Sequence, residues 1–237
     1  MRLGPLRLCA FAGKLIETES RSPAKTQRRK DLPPLTTKTL AEAAQDLAAR
    51  DETLAQILAT HGAPPMWRRP TGFPTLVHII LEQQVSLKSA KAMLLRLQSA
   101  IDPFTPERFV HLGESHLRGL GVTRQKSTYL LHLSGSILSG DLSLNKLSRM
   151  SDESARQRLT QIKGIGSWSA DIYLLMAMRR ADIWPAGDLA LAVAVKELWK
   201  LEVKPTPDEL ERIAERWRPY RAVAARMLWQ HYLFGDR

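Results

Sequence analysis

The stretch from position 159 to 191, LTQIKGIGSWSADIYLLMAMRRADIWPAGDLAL, constrains the fold more than any other part of the chain. Two apolar, helix-like runs flank a four-residue hinge, Lys163-Gly164-Ile165-Gly166. Gly164 and Gly166 both permit positive φ and close backbone approach, so the chain can reverse between helices without a β-carbon clash. Ile165, between them, can plug back into the core. Ser167 is the expected N-cap of the helix that follows, whose first N–H groups then point outward. Free amides at the positive end of a helix dipole form an anion site, and in a basic protein a nucleic-acid phosphate is the natural anion. Downstream, a Pro185-Ala186-Gly187 turn presents Asp188 at the start of another helix. On the residues alone, an aspartate there is first of all an N-cap.

The bulk properties narrow the partners. At 237 residues the chain can form one sizeable domain or two small lobes sharing a cleft. A net charge of +11 and a pI near 10.1 favour a polyanionic partner, nucleic acid before an acidic membrane surface. No basic amphipathic helix carries an aromatic insertion face. No apolar run approaches the roughly 18 residues of a membrane span. The single cysteine, Cys9, excludes an internal disulfide and a four-cysteine iron–sulfur cluster. The six histidines offer no ligand pair with a third partner, so no side-chain metal site is expected. Convincing strand alternation is absent and repeats are lacking, so the chain is expected to be all-α.

In chain order, residues 1–36 are rich in Arg and Lys, interrupted by Pro23, Pro33 and Pro34, and expected to be a disordered tail. Such a tail either adds non-specific DNA affinity or is a leader without a role. Two short amphipathic helices are expected over 39–60. The following loop, 62–70, holds Trp67, which either lines a pocket or, more commonly for tryptophan, covers a core edge. A helical stretch over 73–97 breaks near Ser86, placing Glu82, Gln83 and Gln84 at a helix end. Arg124 and Lys126 open another helix, facing either phosphate or solvent. Buried and amphipathic helices then follow Asp188 to position 234.

KGIGSWSA at 163–170, DIWPAGD at 182–188 and EQQVS at 82–86 together resemble the helix-hairpin-helix DNA glycosylases, most closely their alkylation-repair branch, the 3-methyladenine DNA glycosylase II group. The resemblance covers about 71–234. It implies a two-lobed all-α fold with an interlobe active-site cleft. One lobe would comprise 37–72 with 190–237, and the other 73–189. It implies that Asp188 stabilises an oxocarbenium-like sugar or activates water. Gln84, with Gln83 beside it, would wedge into the DNA stack, where the related bacterial enzyme has a leucine. Trp168, Trp229, Tyr173 and Trp67 would line the base pocket. Lys163, Gly164, Ile165, Gly166, Ser167, Arg124 and Lys126 would meet phosphates. A monovalent cation, Na+ or K+, would sit on the Ile162 and Ile165 carbonyls with DNA bound, with no other cofactor.

Departures from the resembled pattern matter. Bifunctional relatives carry a Schiff-base lysine two residues after the second hairpin glycine, and that position is Trp168 here. Strand cleavage is therefore not expected. The pocket tyrosines of the resembled enzyme fall at Ile172 and Leu189, so its base preference does not transfer. Glu82 either faces the cavity, where it would attract a cationic base, or is exposed or salt-bridged. The implied substrate is duplex DNA bearing alkylated purines, which are electron-poor, suit stacking on indole and leave readily. A monomer is expected, with the DNA in nucleoid, nucleus or organelle according to the host. Alternatives are a glycosylase for deaminated bases such as hypoxanthine, or a non-catalytic DNA-gripping module.

Overall fold

Hydroxyl and carboxylate side chains set most of the helix starts. In the computed structural model, which describes residues 32–235, Thr36, Asp51, Ser86, Thr105, Thr123, Ser151, Asp188 and Thr206 each accept a bond from a backbone N–H in the first turn of the helix they precede. Each satisfies one of the four donors that a helix start leaves without a partner. The helices are α1 (Thr37–Arg50), α2 (Glu52–His61), α3 (Phe73–Glu82), α4 (Leu87–Ala100), α5 (Pro106–Gly119), α6 (Arg124–Leu138), α7 (Leu144–Leu147), α8 (Asp152–Thr160) and α9 (Ser167–Ile172). A π-helical turn, Tyr173–Ala177, prolongs α9; α10 (Leu189–Leu198), α11 (Pro207–Ala214), a 3-10 turn (Glu215–Trp217) and α12 (Arg221–Phe234) complete the fold. Among the described residues there is no strand, and no helix is long and apolar enough to cross a membrane.

The helices pack as two groups. α12 contacts α1, α2 and α10, so the first and last helices of the described chain form one bundle. In the other group α3 packs on α4, α6 and α9, α5 on α6, and α8 on α9. The buried face of α3, with Leu76, Val77, Ile79 and Ile80, and the wholly buried α12 stretch from Ala222 to Leu228 supply much of the apolar core. The two groups meet at a seam where the Arg226 guanidinium of α12 donates to the Leu175 carbonyl of the π turn at 2.8 Å.

The tail boundary expected at position 36 falls late. Leu35 is buried at 2% exposure, its N–H donates to the Arg179 carbonyl and its carbonyl accepts from the Arg179 guanidinium at 3.1 Å. The expectation of disorder for 1–31 lies outside the described residues.

The hairpin joins α8 to α9, and its two glycines differ. Gly164 has φ +92, and a Cβ there would overlap the Tyr129 ring. Gly166 has φ −82, a conformation open to any residue, and a Cβ there would meet nothing. Positive φ is thus required at one position, not two. Gly166 itself is the N-cap of α9, with no side-chain cap; Ser167, expected in that role, is the first helical residue. Ile165 is buried in the core. The consequence is an asymmetry under mutation. Gly164→Ala should lower unfolding stability by about 2–4 kcal/mol, from strain plus overpacking. Gly166→Ala should lower it by less than about 1 kcal/mol, the difference between glycine and alanine at an N-cap. Denaturant melts of the two variants measure this directly.

Candidate active site

Asp188 caps α10, its Oδ1 accepting the Leu191 N–H at 3.1 Å. Two indoles also donate to it. Trp168 Nε1 donates to Oδ2 at 2.9 Å, and Trp229 Nε1 to Oδ1 at 3.0 Å. Trp168 belongs to the first turn of α9, directly after the hairpin, and Trp229 to α12. The carboxylate is therefore held from three helices, at the seam of the two groups. A carboxylate offers about four lone-pair sites, so the three bonds leave about one open, on Oδ2. Asp188 keeps 9% exposure, Trp168 is half-buried and the adjacent Leu189 is 62% exposed, so the site borders solvent.

The expected pocket aromatics divide. Trp168 and Trp229 have their N–H edges committed to Asp188, a role that stacking alone did not suggest. Trp67 stands edge-on to Trp229, with ring centroids 6.4 Å apart at 70°. Tyr173 does not belong to a pocket: it is 1% exposed, in the π turn, and its hydroxyl accepts the Gly72 N–H at 3.0 Å. Burial pushes its phenol up. A lone tyrosine on an apolar run is more readily satisfied by backbone than left facing a cavity. A surface groove of about 570 Å³, lined by Leu201, Val203, Ile213 and Arg216 among others, lies at the α10–α11 turn and includes none of these residues.

The wedge pair divides as well. Gln84 is exposed at φ +57, standing out from the α3–α4 loop. Gln83 is not free to insert: its Nε2 donates to the Gly164 carbonyl at 2.7 Å and to Ser169 Oγ at 2.9 Å, tying the loop to the hairpin. Lys126 is turned inward on two of its three donors. Its Nζ donates to the Leu81 and Gln83 carbonyls at 2.7 and 2.8 Å, closing the end of α3, and partial burial pushes its ammonium down. Lys163, Gly166 and Ser167 are exposed on the hairpin, and Arg124 is exposed beside Glu114 at 3.5 Å. Glu82 is buried in an ion pair with Arg69, so of its two expected environments the salt-bridged one is found, away from solvent.

Behind the hairpin lies a pair that periodicity could not reveal. Asp171 on α9, almost fully buried, accepts from Arg156 on α8 at 2.6 Å. Burial pushes the Asp171 carboxyl up to about 7, the Arg156 guanidinium offsetting part of the rise. Among the described residues no three His, Cys, Asp or Glu side chains gather as a metal site.

Comparison with known proteins gives the following similarities. The family model described as "HhH-GPD superfamily base excision DNA repair protein" matches residues 77–219. The chain is 30% identical over 173 residues to the DNA-3-methyladenine glycosylase of Bacillus subtilis, covering 68% of this chain and 57% of that protein. It is 27% identical over 205 residues to DNA-3-methyladenine glycosylase 1 of Schizosaccharomyces pombe, covering 84% of this chain and 90% of that one. Among solved structures, the Schizosaccharomyces pombe 3-methyladenine DNA glycosylase (Mag1) in complex with abasic DNA superposes with a TM-score of 0.75 at 27% identity, covering 83% of this chain and 98% of that one. The chain thus spans little more than half of the Bacillus subtilis relative and nearly all of the yeast one.

The Asp171 carboxyl carries a pH signature. Its folded value is raised, so between about pH 4 and 7 the unfolded chain has lost this proton while the folded chain keeps it. The group's contribution therefore favours folding at the acid end and is lost as pH rises through that window. Thermal or urea unfolding from pH 4 to 7 should show Asp171→Asn gaining relative to the parent as pH rises. Parallel profiles for the two proteins would contradict the assignment.

Proposed function

The chain belongs to the HhH-GPD superfamily of base excision DNA repair proteins, and from that premise we propose that it is a monofunctional DNA glycosylase that hydrolyses the N-glycosidic bond of everted alkylated purines. The observation that carries the reading is the convergence of two indole N–H groups on Asp188. Cleavage builds positive charge on the sugar, and a carboxylate fixed before the reaction stabilises it without reorganising. The open position on Oδ2 suits either the sugar or the attacking water, whose proton the carboxylate can accept. An N-alkylated purine nucleotide carries a positive ring, so the base departs neutral and no acid catalyst is required. Trp168, half-exposed beside the carboxylate, suits a neighbouring cationic base. The names of the relatives support 3-methyladenine and related lesions as the substrate class.

Duplex DNA would be held through its phosphates by the free amides at the start of α9, by Lys163 and by Arg124, with the target nucleotide out of the stack. The Ile162 carbonyl already accepts the Ile165 N–H at 2.9 Å. Its second lone pair, with the Ile165 carbonyl, would hold a monovalent cation beside the phosphate, where the ion would neutralise charge. Trp168 replaces the lysine that a lyase would need, and Lys163 precedes the hairpin's first glycine. The product is then an abasic site in an intact strand, and the protein acts as a monomer.

Base release from duplexes carrying 3-methyladenine, 7-methylguanine or hypoxanthine tests the proposal. The parent should release the alkylated bases and leave no strand break or borohydride-trapped adduct. Asp188→Asn should lose about 10²–10⁴-fold in single-turnover rate with duplex binding retained. Release of hypoxanthine alone would move the substrate class to deaminated bases, and no release from any duplex would overturn the enzyme reading.

A further inference from the structure

Two loops that the proposed reaction needs are joined by a buried ion pair outside the chemistry. One loop, between α2 and α3, carries Trp67. The other, between α3 and α4, carries Gln84. Arg69 lies two residues beyond Trp67, and Glu82 two residues before Gln84. The two side chains meet in a fork, Nη1 to Oε2 at 2.8 Å and Nη2 to Oε1 at 2.7 Å, with the Glu82 side chain 4% exposed. His78 Nε2 lies 3.4 Å from the same Oε1. A buried pair of this kind gives little net stability over an apolar replacement. Two parallel charge-assisted bonds do, however, fix one main chain against another in distance and in orientation.

Each loop is braced on its other side. In the Trp67 loop, the Arg69 N–H donates to the Met176 carbonyl at 3.2 Å. Arg226, fully buried, donates to the Met66 carbonyl at 3.2 Å and to the Leu175 carbonyl at 2.8 Å. In the Gln84 loop, Gln83 and Lys126 make the bonds to hairpin and helix end described above. Trp67 and Gln84 both hold positive φ, +43 and +57. A side chain in that region persists only where its surroundings over-determine it.

We propose that the Arg69–Glu82 pair is a latch that makes filling of the DNA stack by Gln84 and seating of Trp67 against the everted base one event, so that both residues of the pair are positioning residues for lesion selection. This rests on the glycosylase reading and adds a selection step to it. A base that stays in the stack keeps Gln84 out and, through the fork, holds Trp67 from its seat.

The test is a double-mutant cycle on binding. The measured quantity is the preference for a duplex containing a 2′-fluoro-substituted 7-methylguanine nucleotide, whose glycosidic bond resists cleavage so that the base stays in place, over an undamaged duplex, for Gln84→Ala, Trp67→Ala and both together. In the parent, either substitution should remove about tenfold of preference and the second less than about twofold more, as for residues acting as a unit. In an Arg69→Met/Glu82→Leu background, which leaves no charge of the pair buried, the two losses should become additive. Arg69→Lys, which keeps the charge and loses the fork, should behave the same way and serves if the double variant melts early. Additive losses in the parent, or coupling that survives both backgrounds, would overturn the latch. Base release by the parent from the 3-methyladenine duplex separates the two ideas. Release with additive losses overturns the latch alone, whereas intact coupling with no release from this or from the 7-methylguanine and hypoxanthine duplexes leaves the two loops coupled and overturns the glycosylase reading.

Discussion

The Asp188 carboxylate, gripped on both oxygens by indoles from separate helices, is the interaction on which the arrangement of the site depends. Hydrogen bonds to a charged group contribute about 1.5–3 kcal/mol each; the Trp168 bond crosses the seam between the helix groups, and the Trp229 bond ties α12 to the start of α10 within one of them. α9 brings Trp168 because the hairpin turns the chain at Gly164; α12 brings Trp229 because its faces are buried among α1, α2 and α10. A slide of one group along the other would break at least one of the bonds. The same three helices thus define both the fold's seam and the place where negative charge is presented.

The hairpin is anchored from behind as firmly as it is exposed in front. Arg156 binds Asp171 across the two hairpin helices, and Gln83 binds the Gly164 carbonyl from the neighbouring loop. Arg180 donates to the carbonyls of Leu147, Ser148 and Met150 at the entry to α8. Several arginines are occupied inside the molecule in this way: Arg69, Arg156, Arg180, Arg221 and Arg226 have structural partners. Arg69, Arg156, Arg180 and Arg221 are matched by acidic partners that the net charge of +11 already counts, whereas Arg226 is buried against carbonyls, a positive charge withheld from the surface.

What could be seen in the sequence follows the range of the interactions. The cap at Asp188, the break at Ser86, the turn at Gly164 and the burial of Ile165 depend on neighbouring residues, and local pattern was enough to place them. The bond from Trp229 to Asp188 spans 41 positions and that from Gln83 to Gly164 spans 81, so neither partner had a local signature. For Lys126, charge pointed outward whereas two unpaired carbonyls at the end of α3 drew it inward. Tyr173 had the right residue type near the right place, but a backbone N–H claimed its hydroxyl. Gly166 shows the reverse error: a glycine in a motif suggests backbone freedom, whereas φ −82 with open space around the α-carbon shows that the backbone does not require it. One signal for Glu82 was available, an acidic residue closing an apolar helix with arginines thirteen positions upstream.

The most direct test of the account is the single-turnover rate of base release by Trp168→Phe and Trp229→Phe, measured with enzyme saturating a 3-methyladenine duplex. Phenylalanine keeps an aromatic face and removes the N–H donor. If the indoles act by fixing the Asp188 carboxylate, each variant should lose about 10–10²-fold in rate, approaching the loss from an oxyanion-site donor, with duplex affinity nearly unchanged. Parental rates in both phenylalanine variants, with loss only on change to alanine, would show that the rings serve by stacking and that the carboxylate does not need them.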